Sequence, residues 1–275
     1  MRAHLGRLLV GSLLSLCIAA PMAAAAQEDI KIPWRPDRLR TFDDSNATSG
    51  ELNAKLFRPP GDAAAPFVVF LHGCAGLDLN LQGHWARFFN ERGVGFLMVD
   101  SLATRGVNSL CQNPKGPWAS RRSDDAGSAL TWLQAQPFVR HDRIALMGQS
   151  HGGGSALLGL HENTAGGKGF VAGLVMYPAC VFATFTKVRL AKPVLAMIGD
   201  DDNWTPVAEC QTLKAAQADA SLMEIVVYPG AGHSFDNPAK KTLLFGKYKV
   251  GEDPAARDQA RERISRWVDE VLKRP

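Results

Sequence analysis

The chain has 275 residues, 46% of them hydrophobic, with 31 Lys and Arg against 27 Asp and Glu. That is enough apolar chain to bury the core of one large α/β domain. The charge is nearly balanced and the basic residues are scattered, apart from pairs such as Arg121-Arg122 and Lys240-Lys241. Composition therefore offers no basis for binding nucleic acid or a membrane surface.

Arg2 and Arg7 precede the apolar run Leu8 to Ala20, and Ala24-Ala25-Ala26 stands before Gln27. A basic start, a short apolar stretch and a small-residue cleavage site make a secretory signal peptide over residues 1–26. The apolar run is too short for a comfortable membrane span and ends at Pro21. Residues 27–275 are then expected as a single soluble domain in the periplasm or outside the cell. Without Arg2 and Arg7 its formal charge falls from +4 to +2.

Ile30 to Gly50 is polar and irregular, with Pro33 and Pro36, and is expected to lie over the surface. Strands and helices then alternate. Leu52 to Arg58 reads as an early strand, Pro66 to His72 as a buried strand, and His84 to Arg92 as a helix stopped by Gly93. Gly95 to Asp100 is the next buried strand. Ser123 to Gln136 reads as a helix capped by Ser123 and stopped at Pro137. Arg143 to Met147, Val171 to Tyr177, Pro193 to Ile198 and Glu224 to Tyr228 are further strands, with Val207 to Ala218 helical. In the last segment, Arg257 to Arg274, the residues Ile264, Trp267, Val268, Val271 and Leu272 form one apolar stripe of a helix. Strands apolar on both faces and separated by helices predict a mostly parallel sheet covered on each side. Functional groups in such sheets gather at the carboxyl ends of the strands.

The chemistry-bearing residues follow strands. The strand Arg143 to Met147 runs into Gly148-Gln-Ser150-His-Gly152, and a helical run begins at Ser155. A strand, a sharp turn and a helix expose a serine at the apex for nucleophilic attack. The flanking glycines suit a turn too tight for Cβ atoms. The bland alternative is a serine that caps the next helix. A serine nucleophile needs a base, and the base needs an acid. His233, between Gly232 and Ser234 just after a strand, is the candidate base. The acid must come from Asp200, Asp201 or Asp202, which follow Ile198-Gly199. A calcium site is the competing use of three adjacent carboxylates, but the loop lacks an EF-hand pattern. His72 is expected to organise its loop, His151 to point away from Ser150, and His84, His141 and His161 to sit at the surface. The oxyanion needs two backbone donors: the amide of His151, and one from the loop after the first buried strand, most naturally Cys74.

Cys17 would leave with the signal. Cys74, Cys111, Cys180 and Cys210 remain, an even number suited to disulfides in an oxidising compartment. Cys74 and Cys111 follow neighbouring strands, as do Cys180 and Cys210, so these pairings are expected. No Cys-x-x-Cys spacing supports zinc.

Taken in order, Leu71-His-Gly-Cys-Ala-Gly76, the Gly-Gln-Ser-His-Gly elbow, Gly199-x-x-Asp202 with Pro206, Gly232-His-Ser-Phe235, and Tyr248 to Trp267 before the last helix resemble the dienelactone hydrolase family. The resemblance runs from about Pro66 to Lys273 and implies an α/β-hydrolase fold. It places the acid on Asp202, the base on His233 and the nucleophile on Ser150. Founding members of the family carry cysteine as nucleophile and a glutamate in the loop where this chain has Gly73. A serine–histidine–aspartate mechanism on a carboxylic ester or lactone is therefore implied, with neither cofactor nor metal. Arg105 resembles an arginine that helps bind the substrate carboxylate in those enzymes, and a structural loop residue is the equal alternative. The second such arginine, just beyond the histidine, is replaced near Asn237 in this chain, which argues against dienelactone itself. Trp118, Trp204 and Phe235 are expected pocket residues. Two alternatives remain: an acyltransferase or peptidase with the same triad, and a non-catalytic binding protein on the same scaffold.

Overall fold

A computed structural model of the chain describes residues 27–36, 49–112 and 118–274. The expected signal peptide, with Cys17, lies outside the described residues.

The strands are β1 (Gln27–Trp34), β2 (Gly50–Phe57), β3 (Ala65–Leu71), β4 (Gly95–Asp100), β5 (Val139–Gln149), β6 (Gly173–Met176), β7 (Val194–Gly199), β8 (Met223–Tyr228), β9 (Thr242–Leu244) and β10 (Tyr248–Val250). The helices are α1 (Leu79–Asn90), α2 (Ala119–Gln134), α3 (His151–Gly159), α4 (Ala165–Gly169), α5 (Cys180–Phe185), α6 (Val207–Ala215) and α7 (Pro254–Val271). Eight strands form one sheet in the order β1-β2-β4-β3-β5-β6-β7-β8. β1 and β2 run antiparallel to their neighbours, and all pairs from β4 through β8 are parallel. This is the mostly parallel, helix-covered sheet of an α/β-hydrolase.

Side-chain alternation along each strand builds two cores. On β3, Phe67, Val69 and Leu71 join Leu130, Ala156 and Leu157 of α2 and α3 on one face. Val68 and Phe70 join Trp85 and Phe89 of α1 and Ile264, Trp267 and Val268 of α7 on the other. The apolar stripe read from the last segment thus meets the sheet.

Two expectations need correction. The segment from Ile30 is not a surface coil at its start: it belongs to β1, an edge strand whose Ile32 and Trp34 are buried. Pro33 is tolerated there because an edge strand has a free side. Helix α2 begins at Ala119, so Ser123 is not its cap but a buried interior residue whose hydroxyl donates to the Ser120 carbonyl at 2.6 Å. The hairpin β9–β10 had no counterpart in the sequence reading.

β3 lies between β4 and β5, so the chain changes direction across the sheet there. The loop after β3 and the turn after β5 therefore open side by side at a topological switch point, the usual place for a ligand crevice in such sheets.

Candidate active site

Ser150 sits between β5 and α3 with φ 53° and ψ −120°, a backbone conformation rare for residues other than glycine. The neighbouring glycines permit it. A Cβ on Gly152 would lie 2.2 Å from the Leu71 carbonyl oxygen, and one on Gly148 would lie 2.3 Å from that of Gly152. The turn is so tight that only hydrogen fits at these two positions.

The hydroxyl of Ser150 lies 2.8 Å from Nε2 of His233, and Nδ1 of His233 lies 2.8 Å from Oδ2 of Asp202. All three residues are buried. Of the three candidate carboxylates, Asp202 is the one that reaches the ring. Asp200 turns to the Gly230 amide at 2.6 Å, and Asp201 pairs with Lys249 at the surface. The Asp202 carboxylate is itself fixed: Oδ1 accepts the amides of Trp204 and Thr205, both at 2.9 Å, and Oδ2 lies 2.9 Å from the Thr205 hydroxyl. β10 pins the histidine loop, since the His233 amide donates to Lys249 O at 2.8 Å and Gly251 N donates to His233 O at 3.0 Å. The unforeseen hairpin therefore places the histidine. A serine hydroxyl, an imidazole and a carboxylate so aligned can pass a proton from oxygen to nitrogen while the ring keeps one orientation.

Neither the His151 nor the Cys74 amide has an acceptor among the described residues, and both residues line the space beside Ser150. Cys74 is held by its disulfide to Cys111, with Cα atoms 5.0 Å apart, and its carbonyl accepts Leu110 N at 2.7 Å. The second expected pair, Cys180–Cys210, also forms, with Cα atoms 5.1 Å apart.

Beneath these two amides lies Arg122, fully buried. One terminal nitrogen donates to Nδ1 of His151 at 2.8 Å, and the other to the carbonyl of His72 at 2.5 Å. One guanidinium thus ties the residue after the nucleophile to the loop that carries Cys74. Burial, and then the guanidinium, hold His151 down at about 3, so its ring is neutral and can accept. His72 is pushed well below its usual range by the same two causes, and its Nδ1 lies 2.7 Å from Gly73 O, within its own loop. Burial lowers Arg122 itself to about 10, so it stays charged at neutral pH.

A second buried group stands on the other side. Oδ2 of Asp236 accepts from Nε1 of Trp85 and Nε2 of Gln149, both at 2.8 Å, and Oδ1 accepts from the Tyr177 hydroxyl at 2.7 Å. Gln149 precedes the serine, and the Tyr177 ring lies 4.7 Å from the His233 ring. The sequence reading missed Arg122, Asp236, Gln149, Tyr177 and Thr205 as site residues. Arg122 stood out only as one of a pair of basic residues, and no spacing marked Asp236.

The other expected lining residues separate. Trp204 lines the cavity, 5.0 Å from the His233 ring and stacked 4.6 Å from Tyr248. Phe235 does not: it is fully buried and packs on Tyr177 and Tyr228. Trp118 is 50% exposed and lines neither hollow beside Ser150. Arg105 is also outside the cavity. Its guanidinium clasps Asp125 through bonds of 3.0 and 2.7 Å, because that fully buried carboxylate needs a counter-charge. His84 and His161 are not surface residues either. His161 is buried, and His84 is half-buried, with Nε2 3.7 Å from Asp236. Among the described residues no group of three His, Cys, Asp or Glu side chains could hold a metal ion.

The model of the dienelactone hydrolase family matches residues 52–272. The chain belongs to that family. Membership places it among hydrolases that act on small molecules. A dipeptidyl aminopeptidase BIII from Pseudoxanthomonas mexicana is 26% identical over a stretch covering 64% of this chain and 31% of its own. The chain thus spans about a third of that relative's length. Among solved structures, a dienelactone hydrolase from Anabaena variabilis superposes with a TM-score of 0.66 at 18% identity, covering 91% of this chain and all of that one. Thermogutta terrifontis esterase 2, phosphorylated by paraoxon, superposes with a TM-score of 0.63 at 18% identity over 91% and 95% of the two chains. These likenesses share the fold.

Proposed function

We propose that this family member is an exported serine hydrolase that cleaves a carboxylic ester or lactone through Ser150, His233 and Asp202. The observation that carries this reading is the unbroken line of two 2.8 Å contacts from serine to imidazole to carboxylate. Nε2 of His233 takes the proton of Ser150 as its oxygen attacks the carbonyl carbon. Nδ1–H donates to Asp202, which keeps the tautomer and stabilises the imidazolium. The amides of His151 and Cys74 donate to the developing oxyanion, a contribution on the order of 3 kcal/mol per donor. His233 then returns the proton to the leaving alcohol. Water attacks the acyl-serine by the same route and releases the acid. The reaction as written uses these three side chains, the two backbone amides and water.

Peptide hydrolysis or acyl transfer would use the same three residues, and the aminopeptidase relative favours keeping peptides in the assay. Export is supported by the leader pattern and by two disulfides, which persist in oxidising compartments.

The test is a fluorophosphonate probe together with p-nitrophenyl acetate turnover and product analysis with water, alcohols and amines as acceptors. The mature protein should label at Ser150 and hydrolyse the ester, and Ser150→Ala and His233→Ala should each abolish turnover without altering the circular dichroism spectrum. Full activity in either variant would overturn the mechanism. Folded protein that takes no label would favour a non-catalytic scaffold.

A further inference from the structure

Two hollows meet at Ser150. One, of about 200 Å³, is lined by His233, Leu81, Leu244, Val250 and Lys240. The other, of about 360 Å³, is lined by His151, Phe182, Trp204, Tyr248 and Glu209. Their difference assigns their use, given the ester-cleaving reading above. The imidazole must hand its proton to the leaving oxygen, so the leaving group lies on the His233 side. The acyl chain then runs into the second hollow.

The charge of that second hollow is one-sided. Among the described residues Glu209 is the one acidic or basic side chain on its wall, since His151 is kept neutral. Oε2 of Glu209 accepts the Val181 amide at 3.3 Å, a long bond to a neutral donor. No Lys or Arg pairs with it among the described residues. Burial beside Val181 and Phe182 raises its carboxyl pKa, the sign of an anion that lacks compensation where it stands. The rings of Phe182, Trp204 and Tyr248 complete the wall, and aromatic rings beside a carboxylate suit a cation.

We propose that this hollow is an acyl subsite for a cationic acyl group, an ammonium or quaternary ammonium on the acid side of the ester, held by the Glu209 carboxylate. The competing explanation is structural: Glu209 caps the start of α5 through the Val181 amide. Glutamine separates the two roles, because its carbonyl still accepts that amide while its charge is gone.

The experiment uses isosteric pairs with one leaving group. The p-nitrophenyl esters of 4-(trimethylammonio)butanoic acid and 5,5-dimethylhexanoic acid differ only in nitrogen against carbon. 6-(Trimethylammonio)hexanoic and 7,7-dimethyloctanoic acids give the same pair with a longer reach. The readout is the ratio of kcat/KM within each pair, in the mature wild type and in Glu209→Gln, each divided by the ratio of their hydroxide-catalysed rates. The wild type should favour the cationic member of at least one pair by about tenfold, and Glu209→Gln should lower that preference about fivefold, the range expected of a partly exposed ion pair beside aromatic rings. A wild-type ratio near one in both pairs, or a preference unchanged in Glu209→Gln, overturns the cationic subsite and leaves the ester-hydrolase reading standing. No turnover of any of the four esters or of p-nitrophenyl acetate overturns both.

Discussion

Asp236 offers the sharpest test of how the site is held. Its carboxylate accepts three buried donors from three parts of the fold: Trp85 on α1, Gln149 at the end of β5, and Tyr177 after β6. Asp236→Ala strands all three. A buried donor left without a partner costs about 1–3 kcal/mol, so the loss should be about 4 kcal/mol, a large share of the 5–15 kcal/mol typical of a folded domain. Asp236→Asn keeps one oxygen for Trp85 and Gln149, and its amide can donate to the Tyr177 oxygen, so it should lose only about 1 kcal/mol. Urea unfolding followed by tryptophan fluorescence reads both values, provided the slopes agree. The pH dependence adds a second reading. Burial pushes the Asp236 carboxyl up, but His84, Tyr177 and Trp85 outweigh it and hold it below the usual carboxylate range. A depressed carboxyl contributes stability that is complete above its unfolded value, near 4, and is lost as pH falls through the folded value. The gap between wild type and Asp236→Ala should therefore narrow only below about pH 4. An alanine variant within 1 kcal/mol of wild type at pH 7 would refute this account of the cluster.

Arg122→Met removes a buried guanidinium and keeps its bulk. It should lower kcat about tenfold with KM little changed, because it ties His151 to the loop that carries Cys74, the two residues proposed to supply the oxyanion donors; a rise in KM alone would contradict that. Gly152→Ala should fail to fold or lose more than about 3 kcal/mol, since its Cβ would meet two backbone oxygens that cannot yield, and a wild-type melting temperature would count against the elbow geometry. Denatured, unreduced mature protein should show no titratable thiol. Reduction should lower stability by roughly 3–4 kcal/mol per bridge for loops closed over 37 and 30 residues, and an unchanged urea midpoint with dithiothreitol would reject it.

The central parallel strands β3, β4, β6 and β7 were legible because each is apolar on both faces, a pattern that burial between helices explains. The elbow was legible because its glycines, serine and flanking elements lie next to one another in the chain. β1 was obscured by Pro33 and by charges on its exposed face, although Ile30, Ile32 and Trp34 alternate as a half-buried strand should. The strands of β9–β10 are three residues each and carry no apolar period long enough to read. Arg122 was hidden because arginine is almost never fully buried unless paired; here both Arg121 and Arg122 are buried, Arg122 completely.

Local order along the chain by itself settled the fold class, the serine turn and which loops could supply a base, an acid and paired cysteines. Periodicity and turn chemistry act between near neighbours, so they survive in one dimension. Folding decided the rest: that Asp202, which only the family resemblance had singled out among three aspartates, reaches the imidazole, that Arg105 serves a buried carboxylate rather than the cavity, and that Phe235 and Trp118 leave the pocket to Trp204. Those outcomes depend on the direction of a side chain and the identity of distant partners, and both come into being only when the strands are laid side by side.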